Sequence, residues 1–138
     1  MPSNNVYYTM QDSRGFIWFG TDMGMAQYNG YEFKNFSVDD GLPDNEIFQV
    51  IEDSKGRLWM STLNGNIAYF KDENVTSIKE STQNDSTSAN MIRVICEIDD
   101  GQIAVARVGN KVTVVDEKLE TQSPPYGTPH FIWSQFGE

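Results

Sequence analysis

The chain writes one ten-residue phrase twice. DSRGFIWFGT occupies 12–21 and DSKGRLWMST occupies 53–62. The same 41-residue offset sets Pro2 on Pro43, Asn4 on Asn45, Val6 on Ile47, Tyr7 on Phe48, Gly24 on Gly65 and Tyr28 on Tyr69, with no gap. A further offset of 45 sets Asn45 on Asn90, Ile47 on Ile92, Val50 on Ile95, Glu52 on Glu97, Gly56 on Gly101 and Leu58 on Ile103. This third copy is degenerate, with Ala104 in the place of the tryptophan. The tail TPHFIWSQFGE reads as the opening of a fourth copy, Pro129 and Ile132 standing for Pro43 and Ile47, so the sequence is expected to be cut from a longer array.

A period of 40–45 residues is what the blade of a β-propeller requires, because four short strands and their turns consume about that length. The local signals agree. In the first copy VYYTMQD, FIWFGT, MAQYN and YEFKNFS are runs of strand formers separated by Ser-Arg-Gly, Asp-Met-Gly and Asn-Gly. The second copy repeats the scheme as IFQVIED, RLWMST, NIAYF and VTSIK. FIWFGT is apolar on both alternating faces, Phe16 and Trp18 on one, Ile17 and Phe19 on the other, as a strand held between two other sheets would be. The reading is therefore an all-β chain: a partial β-propeller over 1–138, with about three four-stranded antiparallel blades and the first strand of a fourth. The first blade spans about 2–41, the second about 42–86, the degenerate third about 88–123 and the start of the fourth about 129–138. ESTQNDSTSAN at 80–90 is a polar connection between the second and third.

Charge and cysteine usage narrow the partners. Twenty acidic against ten basic residues give a net charge of -10, which repels phosphate backbones and anionic bilayers alike, so neither nucleic acid nor direct membrane contact is expected. Cys96 is the only cysteine and lies among apolar residues, a buried thiol rather than half of a disulfide. No run approaches the roughly 20 apolar residues of a membrane span, and the first residues lack the order of a secretory signal.

The candidate chemistry is sparse. Asp-Ser-x-Gly sets a carboxylate beside a hydroxyl in both copies, yet no histidine accompanies either, and the one lysine, Lys55, stands in the second copy alone where the first has Arg14. Turn closure by Asp12, Gly15, Asp53 and Gly56 is the favoured reading, with Trp18, Thr21, Trp59 and Thr62 as repeated core and strand-end positions. His130 is the only histidine, so no histidine-based metal centre or triad can be built, and neither metal nor cofactor is expected. VDDGLPDNE offers the oxygens of Asp39, Asp40, Asp44 and Glu46, in the wrong order for an EF-hand, and reads as a solvated turn. The glycosylation matches at Asn35, Asn74 and Asn84 are short enough to arise by chance. Asn4, Asn45 and Asn90 recur just before each first strand. They either cap turns or ring the mouth of a central channel.

LP-x-N-x-(V/I), then (E/Q)DS-x-G-x-(I/L)W, then GT or ST, resembles the two-component regulator propeller repeat. The resemblance covers 2–79 well, 88–116 weakly and 129–138 in outline. Ser61 replaces the motif's glycine in the second copy, and the third has lost its tryptophan. The resemblance implies a periplasmic sensing module of a bacterial sensor histidine kinase or hybrid two-component system, without catalysis of its own. Some relatives recognise polysaccharide breakdown products, so an oligosaccharide or other small ligand is the implied partner.

On a propeller the loops before first strands and between second and third strands share one face. Asp22, Met23, Asp44, Asn45, Asn64 and Asn90 are the expected ligand contacts there. Three blades and a strand cannot close a ring, so uncovered blade faces are expected to meet other blades or a second copy in a head-to-tail homodimer. An interaction scaffold without a small ligand, or a carbohydrate-active enzyme using two carboxylates, are the competing readings.

Overall fold

Strand formers between turn residues settle into twelve strands in the computed structural model, which describes residues 3–78, 92–99, 101–108, 111–116 and 121–122. The strands are β1 (Val6–Gln11), β2 (Ile17–Thr21), β3 (Gly24–Tyr28), β4 (Phe33–Phe36), β5 (Ile47–Glu52), β6 (Leu58–Thr62), β7 (Ile67–Lys71) and β8 (Asn74–Ile78). After them come β9 (Ile92–Asp99), β10 (Gln102–Arg107), β11 (Lys111–Val115) and β12 (Thr121–Gln122). They form three four-stranded sheets, β1–β4, β5–β8 and β9–β12, each a meander in chain order. The pairings that define them are antiparallel throughout. The polar connection at 80–90 and the fourth-copy opening at 129–138 lie outside the described residues.

The chain divides into two compact units, Met1–Ser77 and Ile78–Glu138. In the first, cross-strand register decides what each sheet buries. The rows Met10–Trp18–Gln27–Lys34 and Tyr8–Gly20–Met25–Phe36 lie on one face of β1–β4. The rows Glu52–Leu58–Phe70 and Val50–Met60–Ala68 lie on one face of β5–β8. These two faces make one core of Trp18, Met25, Phe36, Leu42, Ile47, Val50, Leu58, Met60, Ala68 and Phe70. The Trp18 ring sits 5.9 Å from that of Phe36 and 5.1 Å from that of Phe70. Each large side chain so buried contributes about 1.5–3 kcal/mol, and β-branched and aromatic residues supply the strands that carry them.

The repeated turn is built around its aspartate. Asp12 Oδ1 accepts from the N–H groups of Arg14 (2.9 Å) and Phe16 (3.0 Å), while Oδ2 accepts the indole N–H of Trp18 at 2.8 Å. Asp53 does the same with Lys55 and Arg57 (2.9 Å each) and Trp59 (2.8 Å). Gly15 (φ 95°) and Gly56 (φ 78°) provide the left-handed residue that lets each turn close. The Arg57 guanidinium adds a 2.6 Å contact to Asp53. Burial pushes the Asp53 carboxyl up, but the donated hydrogen bonds from Trp59, Arg57 and Lys55 outweigh it and hold its pKa below the usual carboxylate value.

The third sheet, in the second unit, buries Ile95, Ile103, Val105, Val114 and Val115. Glu97 pairs across to Ile103, as Glu52 pairs to Leu58. Here Ile98 stands at the aspartate position and Ala104 at the tryptophan position. Acceptor and indole donor are absent from this sheet together, which avoids leaving either buried alone.

One sequence expectation is corrected. The ungapped 41-residue register ends at Thr62. Gly20 pairs with Met25 in the first sheet, whereas the equivalent Ser61 pairs with Ile67 in the second. The hydroxyl of Thr21 donates to the carbonyl of Gly24 (2.8 Å), and that of Thr62 to Asn66 (2.7 Å), one residue further on. Tyr28 is therefore the counterpart of Phe70 rather than Tyr69, and Gly24 of Asn66 rather than Gly65. Sequence identity misaligned the strand because a hairpin loop absorbs an added residue freely while cross-strand pairing does not.

Candidate functional site

The loops before β1 and β5 and the β2–β3 and β6–β7 turns lie at one end of their two sheets. In the first sheet Asp22 gathers this end. Its carboxylate accepts from the Ser3 hydroxyl and, at 2.9 Å, from the Asn5 amide, and its N–H donates to the Asn5 carbonyl at 3.3 Å. The bonds from Asn5 and then Ser3 hold the Asp22 pKa below its ordinary value, so it stays ionised at neutral pH. Met23 beside it is 57% exposed.

In the second sheet Asp44 takes the equivalent role with a different geometry. Its Oδ1 accepts the N–H of Asn45 at 2.7 Å, and its Oδ2 accepts the N–H of Asn64 at 3.0 Å. Asn64 is further held by its amide donating to the Pro43 carbonyl (3.0 Å) and by its side-chain oxygen accepting from the Asn66 N–H (3.0 Å), with the Thr62 hydroxyl oxygen 2.7 Å from that same atom.

Tyr7 joins the two ends. Its hydroxyl donates to Glu46 at 2.7 Å, and its ring centroid lies 4.8 Å from that of Phe48, its counterpart on β5. The hydrogen bond to Glu46, then partial burial, then the charges of Glu46 and Asp22 raise the Tyr7 pKa. Asp22, Tyr7, Glu46, Asp44 and Asn64 thus form one polar run across two blades, with Tyr7 44% exposed.

Of the sequence-selected residues, Asp44 and Asn64 are brought into contact and Asp22 and Met23 flank the same run. Asn45 turns away from it. Its side-chain oxygen accepts from the N–H of Val38 at 3.2 Å, and its carbonyl accepts from that of Gly24 at 2.6 Å, which fastens one sheet to the next. Gly24 is required there, because a Cβ would stand 2.1 Å from the Phe36 carbonyl. Asn4 is exposed. Asn90 lies outside the described residues, as does His130. Ser3, Asn5 and Tyr7 were not selected from sequence, and Glu46 was named only as one oxygen of the acidic segment. Of the first three, only Tyr7 had a pointer, its offset pairing with Phe48, two aromatics at one recurring position.

The acidic segment is divided among separate tasks. Asp40 accepts the Ser37 N–H at 2.9 Å and caps a single 3-10 turn, Val38–Asp40, while Asp44 and Glu46 bind the groups named above. Among the described residues no three His, Cys, Asp or Glu side chains gather as metal ligands. At the opposite end of the same two sheets a cleft of about 180 Å³ opens beside Asp12, Ser13, Arg14, Glu52, Lys71 and Asp72.

Comparison with known proteins finds one family model that matches two segments of the chain. The model of the two component regulator propeller matches residues 1–23 and 41–64, the two copies of the aspartate-anchored turn with their preceding loops. Those two segments are similar to regulator propeller repeats. None of the curated proteins compared is significantly similar in sequence. Among solved structures, the extracellular domain of BT4673 from B. thetaiotaomicron appears twice, described once as a one component system and once as a hybrid two component system. The first is 24% identical with a TM-score of 0.70, over 90% of this chain and 19% of that one. The second is 26% identical with a TM-score of 0.68, over 84% and 17%. The chain therefore spans about a fifth of those domains' length. An inactive virginiamycin B lyase from Staphylococcus aureus, 17% identical with a TM-score of 0.71 over 94% of this chain and 44% of its own, shares the fold alone. The all-β propeller architecture is shown. Among the described residues no helix is long and apolar enough to cross a membrane.

Proposed function

We propose that this chain is part of the extracytoplasmic input domain of a two-component sensor histidine kinase, located in the periplasm, and that it takes part in binding a small polar ligand without catalysing a reaction. The observation that supports this most is the run from Asp22 through Tyr7 and Glu46 to Asp44 and Asn64. It sets an ionised carboxylate, two further acids and an amide beside a pair of aromatic rings, at the strand ends where adjoining blades meet. Rings that cover a sugar's C–H face, with carboxylate and amide groups that take its hydroxyls, are the chemistry an oligosaccharide requires. The net charge of -10 argues for a neutral sugar over an anionic one. Ligand-dependent rearrangement of blades would then bias the kinase.

Isothermal titration with a panel of neutral oligosaccharides tests the reading. Asp22→Asn and Tyr7→Ala are each expected to weaken the heat-producing sugar by about tenfold or more, the value of one or two lost hydrogen bonds or one stacked ring. Unchanged affinity in both variants would remove the site.

A further inference from the structure

The cleft at the opposite end of the first two sheets is charged in a way the repeat does not require. Its rim carries Arg14 from the β1–β2 turn, Glu52 from the end of β5, and Lys71 and Asp72 from the end of β7 and the turn after it. Its base reaches Leu58 and Phe70. Glu52 pairs with Leu58 where the first sheet pairs Gln11 with Ile17. Phe70, Tyr28 and Val115 pair with Leu58, Ile17 and Ile103 in their three sheets, and the residues that follow them are Lys71, Asn29 and Asp116. The lysine is therefore particular to this cleft, and the glutamate is absent from the first sheet.

The backbone points the same way. The turn after β3 takes four residues, 29–32, and places a glycine, Gly30 (φ 101°), in the left-handed region. The turn after β7 takes two, and both are non-glycine residues in that region, Asp72 (φ 53°) and Glu73 (φ 66°). Glu73 has Lys34 as its partner. Among the described residues nothing bonds to the Asp72 carboxylate. Strain held at a cleft rim by a side chain with no partner in its own chain is the mark of a group kept for a ligand. The other three charges also have capacity left. Lys71 Nζ uses one donor on the Lys55 carbonyl at 3.1 Å. Arg14 stands 3.8 Å from Asp12 Oδ2 with its side chain 64% exposed. Each Glu52 oxygen accepts one bond from Ser13 and retains a second lone pair.

We propose that this cleft is a second binding site, separate from the Asp22–Asn64 run, and that it takes a free α-amino acid with an apolar side chain. The carboxylate of the amino acid meets Arg14 and Lys71, its ammonium meets Glu52 and Asp72, and its side chain lies toward Leu58 and Phe70. A ligand of one charge sign would face two groups that repel it, and a neutral sugar would leave all four charges unmatched. A zwitterion answers both pairs with charge-assisted hydrogen bonds. The cleft volume of about 180 Å³ matches about six waters at roughly 30 Å³ each, the scale of one amino acid and short of a two-ring sugar.

Isothermal titration of the 138-residue chain with leucine, methionine and valine, each at up to about 10 mM, tests the proposal. At least one is expected to bind. Its N-acetyl and amide derivatives, which each lack one of the two charges, should bind about tenfold or more weakly. Asp72→Gly should weaken binding by a similar factor. That variant relaxes the turn, so a thermal midpoint at or above the parent's excludes lost folding as the cause. Lys71→Met, which removes the opposite charge, should weaken binding likewise. No heat from any of the three amino acids overturns the proposal, as does an affinity unchanged in both variants. An N-acetyl derivative that binds as well as the free amino acid would make the cleft an anion site, an amide that does so would make it a cation site, and either overturns it equally.

Discussion

Ser13 donates both its backbone N–H and its hydroxyl to Glu52, one to each carboxylate oxygen, at 2.8 Å. The pair joins the β1–β2 turn of one blade to the first strand of the next. Because it lies at the surface, water competes for both groups, and the coupling should be modest. Urea unfolding of Ser13→Ala, Glu52→Gln and the double variant is expected to give a coupling energy of about 0.5–1 kcal/mol. Additive effects would show that the two side chains do not act together across the blade boundary.

The buried aspartates should cost far more to remove. Asp12→Ala leaves the Trp18 indole N–H and two backbone N–H groups without their acceptor. A loss of about 2–4 kcal/mol is expected. In a Trp18→Phe background the same change should cost at least 1 kcal/mol less, since one orphaned donor is gone. Equal losses in the two backgrounds would separate turn closure from indole anchoring.

The third sheet illustrates how much of this was legible beforehand. Period, strand count and the core role of Trp18 and Trp59 followed from offset and alternation, because each is a local property of the chain. The indole–aspartate bond did not, although Ile98 and Ala104 replace both partners together in the third copy. That joint change was the available signal. The Thr62–Asn66 loop was misread because identical residues, Gly24 with Gly65 and Tyr28 with Tyr69, happened to align across an insertion that only strand pairing exposes. Site residues were harder still. Asp22 and Asp44 sit near equivalent ends but recruit different partners, Ser3 and Asn5 against Asn64. A loop that must recognise something specific has no reason to repeat, so the repeat carried no information about it.

Acid stability should depend on Asp53. Its pKa is held below the ordinary value by hydrogen bonds that outweigh burial. Its contribution is therefore fully present above the unfolded carboxylate pKa of about 3.9 and is lost as pH falls through the lower folded value. In urea titrations between pH 5 and 2, Asp53→Asn is expected to be less stable at pH 5 and to show a shallower decline. A variant whose decline parallels the parent's would assign the acid sensitivity to other carboxylates.

The β7–β8 turn holds two non-glycine residues in the left-handed region, Asp72 at φ 53° and Glu73 at φ 66°. Glu73 compensates by pairing with Lys34 on the first blade's outer strand. Glu73→Gly relieves the backbone strain, worth about 1 kcal/mol, while losing an exposed ion pair worth about 0.2–1 kcal/mol. The two nearly cancel in the parent. In a Lys34→Met background only the relief remains, and Glu73→Gly should raise the unfolding free energy by up to about 1 kcal/mol. No gain in that background would mean the turn is unstrained.

Cys96 gives a chemical probe of the third sheet. Burial pushes its pKa up to about 11, from 9.0 in a free thiol. Only the thiolate attacks a disulfide reagent, so a two-unit rise cuts the reactive fraction about a hundredfold near neutral pH. Ellman's reagent at pH 8 should label the folded chain at least about a hundredfold more slowly than the urea-unfolded chain, with restricted access adding to the difference. Because Cys96 pairs with Ala104 across the β9–β10 ladder, its labelling reports the opening of those two strands. Raising the pH to 10 on the intact sheet should accelerate labelling about tenfold per unit without a change in circular dichroism. Labelling as fast in the folded chain as in the unfolded one would show that this strand pair opens freely in solution.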